Sequence, residues 1–597
     1  MTTIELTGAE DIAWDLSDLY AGSDDPALIA DIEQTEKDAA AFRERYYGQV
    51  AGLAPQDLAD AIAERERIDS VFTRAAYYGH LNYSTNVADP ERGALVAKLT
   101  EKGAILETQL LFFSLELAAL DDAAAEKLRA APELGHWHHW LESLRKFRPH
   151  LLTEPEEKIV TEKAVSGNSA WSRLFEEQVA GLRVMIDGEE QSLENAISRM
   201  HQADREVRRT TAKAIEEALQ PGLRTRTFIF NTILVDKSID DRLRGYANWL
   251  SSRNLSNETT DEAVEALVQA VVSRYDVTQR YYTLKAKLLG VERIAHYDRF
   301  APVAEDTSNT PWDEAVSVVQ EAYADFASEA GDVVRRFFAE SWIDAPVRED
   351  KRTGAFCATN VPGVHPYILM NYTGERRSIL TLAHELGHGL HGMLAQPLGL
   401  YNASTPLTTA ETASVFGESL TFKRLLAGET DARKRLALVT GRLEDAIATV
   451  FRQIAMNRFE HAIHTERREA GELSPDRFNE LWLQEQTKLF GDAVDIDGYG
   501  PWWSYIHHFT GSPGYVYAYA YGFLFSLTIF RKYEREGEGM VDPILDLLRA
   551  GGSKAPQELA EMVGLDLRDP SIWALGVDAM AEDIDEAERL AGELGIT

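Results

Sequence analysis

The chemistry of this sequence is concentrated in His384-Glu385-Leu386-Gly387-His388. Residues four apart on a helix lie one above the other, about 5–6 Å between Cβ atoms, so His384 and His388 can turn a ring nitrogen toward one ion. Such a pair suits zinc, with a water in its open position. Glu385 sits about 100° further round the helix, too far for easy ligation but well placed to act on that water. A catalytic zinc usually takes three protein ligands, so the pattern demands a third. Glu411, in Thr408-Thr409-Ala410-Glu411, is the candidate, and its competing reading is a capping box in which it satisfies a helix N-terminus. Glu418, seven residues on and on the same helical face, is either an orienting partner for a ligand histidine or a surface acid. His391 would crowd the turn that carries His388, so it is read as a partner of that turn or a packing residue.

A second cluster lies downstream in a stretch without Asp, Glu, Lys or Arg from Gly498 to Phe530. It carries His507, His508, Tyr515, Tyr517, Tyr519 and Tyr521. Buried tyrosine hydroxyls need partners, so the run implies a polar cavity or a dense hydrogen-bond network, and Tyr and His are donors that an oxyanion could use. Its Pro501, Pro513, glycines and histidines exclude a lipid-facing helix. The cluster His136-Trp137-His138-His139-Trp140 is read as a packed helix start, and Cys357 as a small core residue in a strand.

The elements that must hold these groups are mostly helical. Leu58–Arg74, Gly103–Leu120, Pro155–Glu177, Ala203–Leu219 and Asp261–Leu289 repeat apolar residues at three and four. Asp187-Gly188 after Arg183–Ile186 signals a hairpin. Tyr297–Pro311 reads as a surface loop ahead of a helix from Trp312. Gly354–Thr359 and Tyr367–Tyr372, around Pro362-Gly363, read as a small antiparallel hairpin next to the HELGH helix. Backbone pairing with the strand Tyr367–Tyr372 would hold an extended peptide, with Tyr367 among the contacts.

Composition narrows the class. With 597 residues the chain is long enough for two or more packed units; a soft boundary near residue 200 separates an N-terminal helical region, 1–200, from a catalytic region, 201–597. Hydrophobic residues at 45% and charged residues at 26% exclude a disordered or membrane-spanning chain. The net charge of −36 repels phosphate backbones, which argues against nucleic-acid partners. One cysteine cannot form an intramolecular disulfide, and the acidic start MTTIELTGAEDIAWDL lacks the basic and apolar regions of a signal peptide, so a cytoplasmic protein with no membrane partner is expected.

Taken in order, WDLSDLY at 14–20, GAFC, PYILMNY, TLAHELGHGLHG at 381–392, ETASVFGESL at 411–420 and HFTGSPGYVYAYAYG at 508–522 resemble the M3 family of zinc oligopeptidases, in particular its oligoendopeptidase F branch. The resemblance spans nearly the whole chain. It implies one Zn2+ per chain held by His384, His388 and Glu411, with Glu385 as general base and acid. It implies substrate or oxyanion contacts from His508 and Tyr515, and further contacts from Tyr517 and Tyr519. Thr510-Gly511-Ser512 and Gly514 replace bulkier residues of the family pattern, which leaves open which tyrosine reaches the metal. The implied fold is mainly α, a multi-helix two-lobed clamshell around a deep substrate channel. The implied activity is endopeptidase action on short peptides; the alternatives are a zinc carboxypeptidase of the helical HExxH type and a peptide-binding protein with a vestigial site.

Overall fold

The computed structural model describes residues 6–303, 309–359 and 363–596, and it is mainly α-helical, as expected. The turn at Pro362 and the centre of the 297–311 loop lie outside the described residues. The chain divides into two compact units, each threaded three times: residues 1–148, 307–428 and 532–565 form the first, and 149–306, 429–531 and 566–597 the second. These units cut the chain differently from a single boundary at residue 200. Among the described residues no single helix is long and apolar enough to cross a membrane.

Local signals explain many helix starts. Asp25-Pro26, Asp89-Pro90, Ser474-Pro475 and Asp569-Pro570 each place a capping side chain on a backbone N–H of the first turn, with proline at the first helical position. Two segments read as single helices are interrupted: Glu154–Ala164 and Asn168–Ala180 flank Gly167, and Asp261–Val272 is followed by Tyr275–Leu288. In the second unit the hairpin Arg183–Ile186/Glu189–Ser192 forms as read. Asp187 and Gly188 both have positive φ, 56° and 85°, the backbone a two-residue hairpin turn requires.

In the first unit the helices Pro26–Tyr46, Pro55–Ser84 and Pro90–Ala119 enclose a core of Phe42, Leu58, Ile62, Leu110, Phe112 and Phe113. His136–Trp140 is a packed helix start, as read. Trp137 Nε1 donates to Glu66 at 2.9 Å and Trp140 stacks on Tyr401 at 4.7 Å.

The small sheet of this unit differs from the hairpin read in the sequence. Phe356–Ala358 pairs antiparallel with Tyr367–Leu369, but Ile343–Asp344 pairs with the other side of Tyr367–Leu369 in parallel. Tyr367–Leu369 is therefore the central strand and has no free edge for a peptide, so the expected substrate pairing along Tyr367–Tyr372 is corrected. Tyr367 is fully buried, its ring edge-on to Trp14 at 6.0 Å, and is a core residue rather than a substrate contact. The free edge belongs to Phe356–Ala358, whose outer side meets no strand among the described residues. Lys351 locks the sheet from beneath: its fully buried ammonium donates to Pro346 O at 2.8 Å and Met370 O at 2.6 Å, and pairs with Asp344 at 2.7 Å.

Candidate active site

The helix Arg376–Ala395 carries the histidines, and its pattern explains how they are presented. Ile379, Leu382, Ala383, Leu386 and Leu390 are 0–3% exposed and recur at three and four, which fastens one stripe into the core. His384 and His388 fall on the opposite side, ring centroids 5.0 Å apart. The next long helix, Thr412–Gly428, packs against this one, and Gly387 makes the contact close. A Cβ at Gly387 would collide with Ala413 O and lie 2.6 Å from Ser414 Cα, so only glycine admits this approach. Tyr323 adds a fully buried hydroxyl that donates to Ala383 O at 2.7 Å.

That approach delivers Glu411. It sits at the break between Leu407–Ala410 and Thr412–Gly428, with φ −85° and ψ 4°. Its carboxylate reaches the imidazoles, and the N-cap of Leu407–Ala410 is Pro406 and not Thr408: Glu411 Oε2 lies 3.3 Å from His384 Nε2 and 3.4 Å from His388 Nε2. Two ligand atoms each about 2.0–2.1 Å from a tetrahedral ion stand about 3.3–3.4 Å apart. The three atoms thus match a zinc-sized cradle, and all lie within 4.8 Å of one another. Ser414 Oγ donates to Glu411 Oε2 at 2.6 Å, which holds the carboxylate in this direction. Glu418 reaches His384 from behind, Oε2 3.3 Å from Nδ1, the arrangement that fixes a ligand imidazole with Nε2 forward.

The electrostatics agree with a cation site. Burial opposes charge on His384, but hydrogen bonds to Glu411 and Glu418 outweigh it and hold the imidazole well above its ordinary range. Burial opposes ionisation of Glu411 as well, and the two imidazoles override it, holding the carboxyl well below its ordinary value. Glu385 is 6% exposed, and burial pushes its carboxyl up against the pull of His384 and His388. A carboxylate lifted in this way is a stronger base than a solvated one. Burial also pushes up the Cys357 thiol on the sheet edge, where the Glu385 charge reinforces the effect. His391 is buried, with its ring pushed down to about 4 by burial and by His388, and it borders a cavity of about 60 Å³ lined by Thr359, His388, Gly392 and Ala403. It lies outside the three-ligand set.

The donors expected downstream lie in the second unit and form their own cluster. His508 Nε2 is 3.2 Å from the Tyr519 hydroxyl, and the rings of His508 and Tyr515 are near-parallel at 5.8 Å. Tyr515 meets Tyr519 edge-on at 4.9 Å. Burial, with His507 and Arg452 nearby, pushes His508 down to about 4, so the ring is neutral at pH 7 and donates through a single N–H. Tyr515 and Tyr519 are half-buried, whereas Tyr517 and Tyr521 are fully buried. Within the helix Tyr517–Glu536, Tyr517 and Tyr521 are four apart and share the buried face, whereas Tyr519, two from each, does not; Tyr515 precedes the helix. Tyr517 OH accepts from Asn257 Nδ2 at 2.9 Å inside the core, so its expected place among substrate contacts is corrected.

Sequence reasoning overlooked Ser414 and Tyr323, which hold Glu411 and the histidine helix in place. Glu411-x-x-Ser414 at one-turn spacing was a legible signal; Tyr323, sixty residues from its acceptor, gave none.

The description "Peptidase family M3" matches residues 198–577, and "Oligopeptidase F" matches residues 116–183. Oligopeptidase PepF of Bacillus subtilis is 27% identical over 602 residues, covering 98% of this chain and 87% of its own. Group B oligopeptidase PepB of Streptococcus agalactiae is 26% identical over 509 residues, covering 84% and 83%. In fold, a crystal structure from Chlamydophila abortus matches with a TM-score of 0.86 at 22% identity, covering 98% of this chain and 99% of that one. Oligoendopeptidase-F of Enterococcus faecium matches with a TM-score of 0.70 at 21% identity, covering 95% and 98%. The chain belongs to peptidase family M3.

Proposed function

We propose that the chain hydrolyses internal bonds of short peptides with one zinc per chain, held by His384, His388 and Glu411. That it is a metalloendopeptidase of oligopeptides follows from its family and relatives. The observation that carries the residue assignment is the 3.3–3.4 Å spacing of Glu411 Oε2 from both imidazole Nε2 atoms. Zinc bound there would act as a Lewis acid toward the scissile carbonyl and acidify a water. Glu385, raised by burial, takes a proton from the attacking water and returns it to the leaving amine. Glu418 keeps His384 in the tautomer that presents Nε2. His508 and Tyr515 are assigned as donors to the developing oxyanion, with Tyr519 steadying His508 through its hydroxyl. The free edge Phe356–Ala358, in place of Tyr367–Tyr372, is assigned to hold the peptide in extended form. The lone Cys357, in a fold without disulfides, is in keeping with a reducing cytoplasm.

The test is an internally quenched peptide with both ends blocked, assayed with wild type and Glu385→Gln after metal analysis. The variant is expected to keep zinc and lose about 10²–10⁴-fold in kcat. Near-normal turnover would remove Glu385 from its role. Failure of the wild type to cut a blocked peptide that it trims when unblocked would favour a carboxypeptidase.

A further inference from the structure

The donor cluster of the second unit rests on a feature that neither the resemblance nor the catalytic reading assigns. The segment between His508 and Tyr515 turns at Pro513-Gly514, and Gly514 has φ +76°. A Cβ there would stand 2.7 Å from Leu250 Cδ1 and 3.4 Å from Arg253 Cβ, so the turn sits directly on the short helix Ser251–Ser256 and its approach. Its buried Gly514 N–H donates to Glu460 Oε1 at 2.9 Å, a contact across 54 residues from the middle of the helix Phe451–Ala470. Glu460 is 1% exposed, and its second oxygen, Oε2, is buried with no hydrogen-bond partner among the described residues. At the other end of the segment, Ser172 Oγ donates to Thr510 O at 3.0 Å.

We propose that Glu460 is a positioning residue for catalysis: its buried carboxyl holds the Gly514 N–H and thereby sets the turn that aims Tyr515 and His508. This deepens the donor assignment made above and rests on it. The physical argument is one of accounting for polar groups. The Gly514 N–H is met by a side chain, Glu460 Oε1, and a buried donor left unmet is costly. The acceptor that reaches it is a side chain from a distant helix, so the direction of that side chain sets the position of the turn. Burial pushes the Glu460 carboxyl up to about 8 against the pull of the Gly514 N–H and then of Arg253, so its neutral form predominates at pH 7 while Oε1 still accepts from Gly514. Glutamine is the isostere of that neutral form; aspartate falls one methylene short.

The experiment compares zinc-loaded full-length wild type, Glu460→Gln, Glu460→Asp, Glu460→Leu, Tyr515→Phe and His508→Ala on the quenched peptide, with zinc content and Tm measured for each. Expected are kcat within about twofold of wild type for Gln, a loss of about tenfold or more in kcat for Asp and Leu, KM changed far less, and zinc retained throughout. Rescue by Gln and the split between kcat and KM separate positioning from general destabilisation. If the Leu variant fails to fold, the Asp variant decides. Wild-type kcat in Glu460→Asp together with a loss in Tyr515→Phe overturns the proposal alone. Wild-type kcat in both Tyr515→Phe and His508→Ala overturns the donor assignment, and the proposal with it.

Discussion

The metal-binding region of the first unit and the tyrosine-rich region of the second are held by different physics. In the first, the functional groups sit on or beside two long helices whose close approach is set by backbone contact at Gly387, and two of the three proposed ligands have a polar neighbour that directs them: Ser414 beside Glu411 and Glu418 behind His384. In the second, His508 and Tyr515 flank a turn whose course depends on one buried carboxyl and on the absence of a side chain at Gly514. A site on regular elements inherits its geometry from helix periodicity. A site on a turn inherits it from whatever distant side chain satisfies the turn's backbone.

The sharpest way to break this contrast is Gly387→Ala. Its Cβ meets backbone, which cannot swing away, so the two helices must part and Glu411 must leave the imidazoles. Zinc affinity is expected to fall by about 10²-fold or more, on the scale of losing a ligand's support, with activity falling in step at limiting zinc. Zinc titration followed by peptide turnover checks it, and unchanged affinity would show that the close helix contact does not set the cradle.

Within the tyrosine run the contrast is between half-buried Tyr515, ahead of the helix, and fully buried Tyr517, on it. Tyr515→Phe is expected to lower kcat by about 10²–10³-fold if its hydroxyl serves the oxyanion. Tyr517→Phe, which removes a hydroxyl already engaged by Asn257, is expected to leave kcat within about twofold and to cost about 1 kcal/mol of stability. Paired kinetics and denaturant unfolding measure both, and equal kinetic losses would show that burial does not separate the two roles.

The smallest expected effect concerns pH. The folded-state pKa of Glu460, about 8, exceeds its unfolded value, so between about pH 4.5 and 8 the folded protein binds the proton that the unfolded chain has released. Stability is therefore lost as pH rises through that window. Arg253 is the charged group that faces the carboxyl and limits the effect. Glu460→Gln has no proton to lose, so its Tm should match wild type near pH 5 and exceed it by on the order of a few degrees at pH 8. A difference in Tm that does not vary with pH would contradict this.

Legibility in the sequence followed the same divide. His384, His388 and Glu385 could be placed on one helix from spacing alone, and the Asp187-Gly188 hairpin from its turn residues, because both are local rules. Glu411 needed a choice between ligand and cap, which the packing at Gly387 decides and no local pattern states. The centre of the small sheet was misjudged because Ile343–Asp344 pairs from more than twenty residues away, turning an expected edge strand into a central one. Tyr517 was placed with Tyr519 because both belong to one aromatic run, although helical spacing already separated them. Glu460 carried no sequence signal at all, since its partner is a backbone N–H 54 residues on.

The central claim is that two imidazoles one turn apart and the carboxylate of Glu411 grip a single ion. X-ray absorption fine structure of the zinc-loaded protein, with metal stoichiometry, tests it most directly. The expected result is one zinc per chain with two imidazole nitrogens and carboxylate oxygen in its shell, and loss of one oxygen contribution in Glu411→Ala. A shell with a single imidazole, or with sulfur from Cys357, would contradict it.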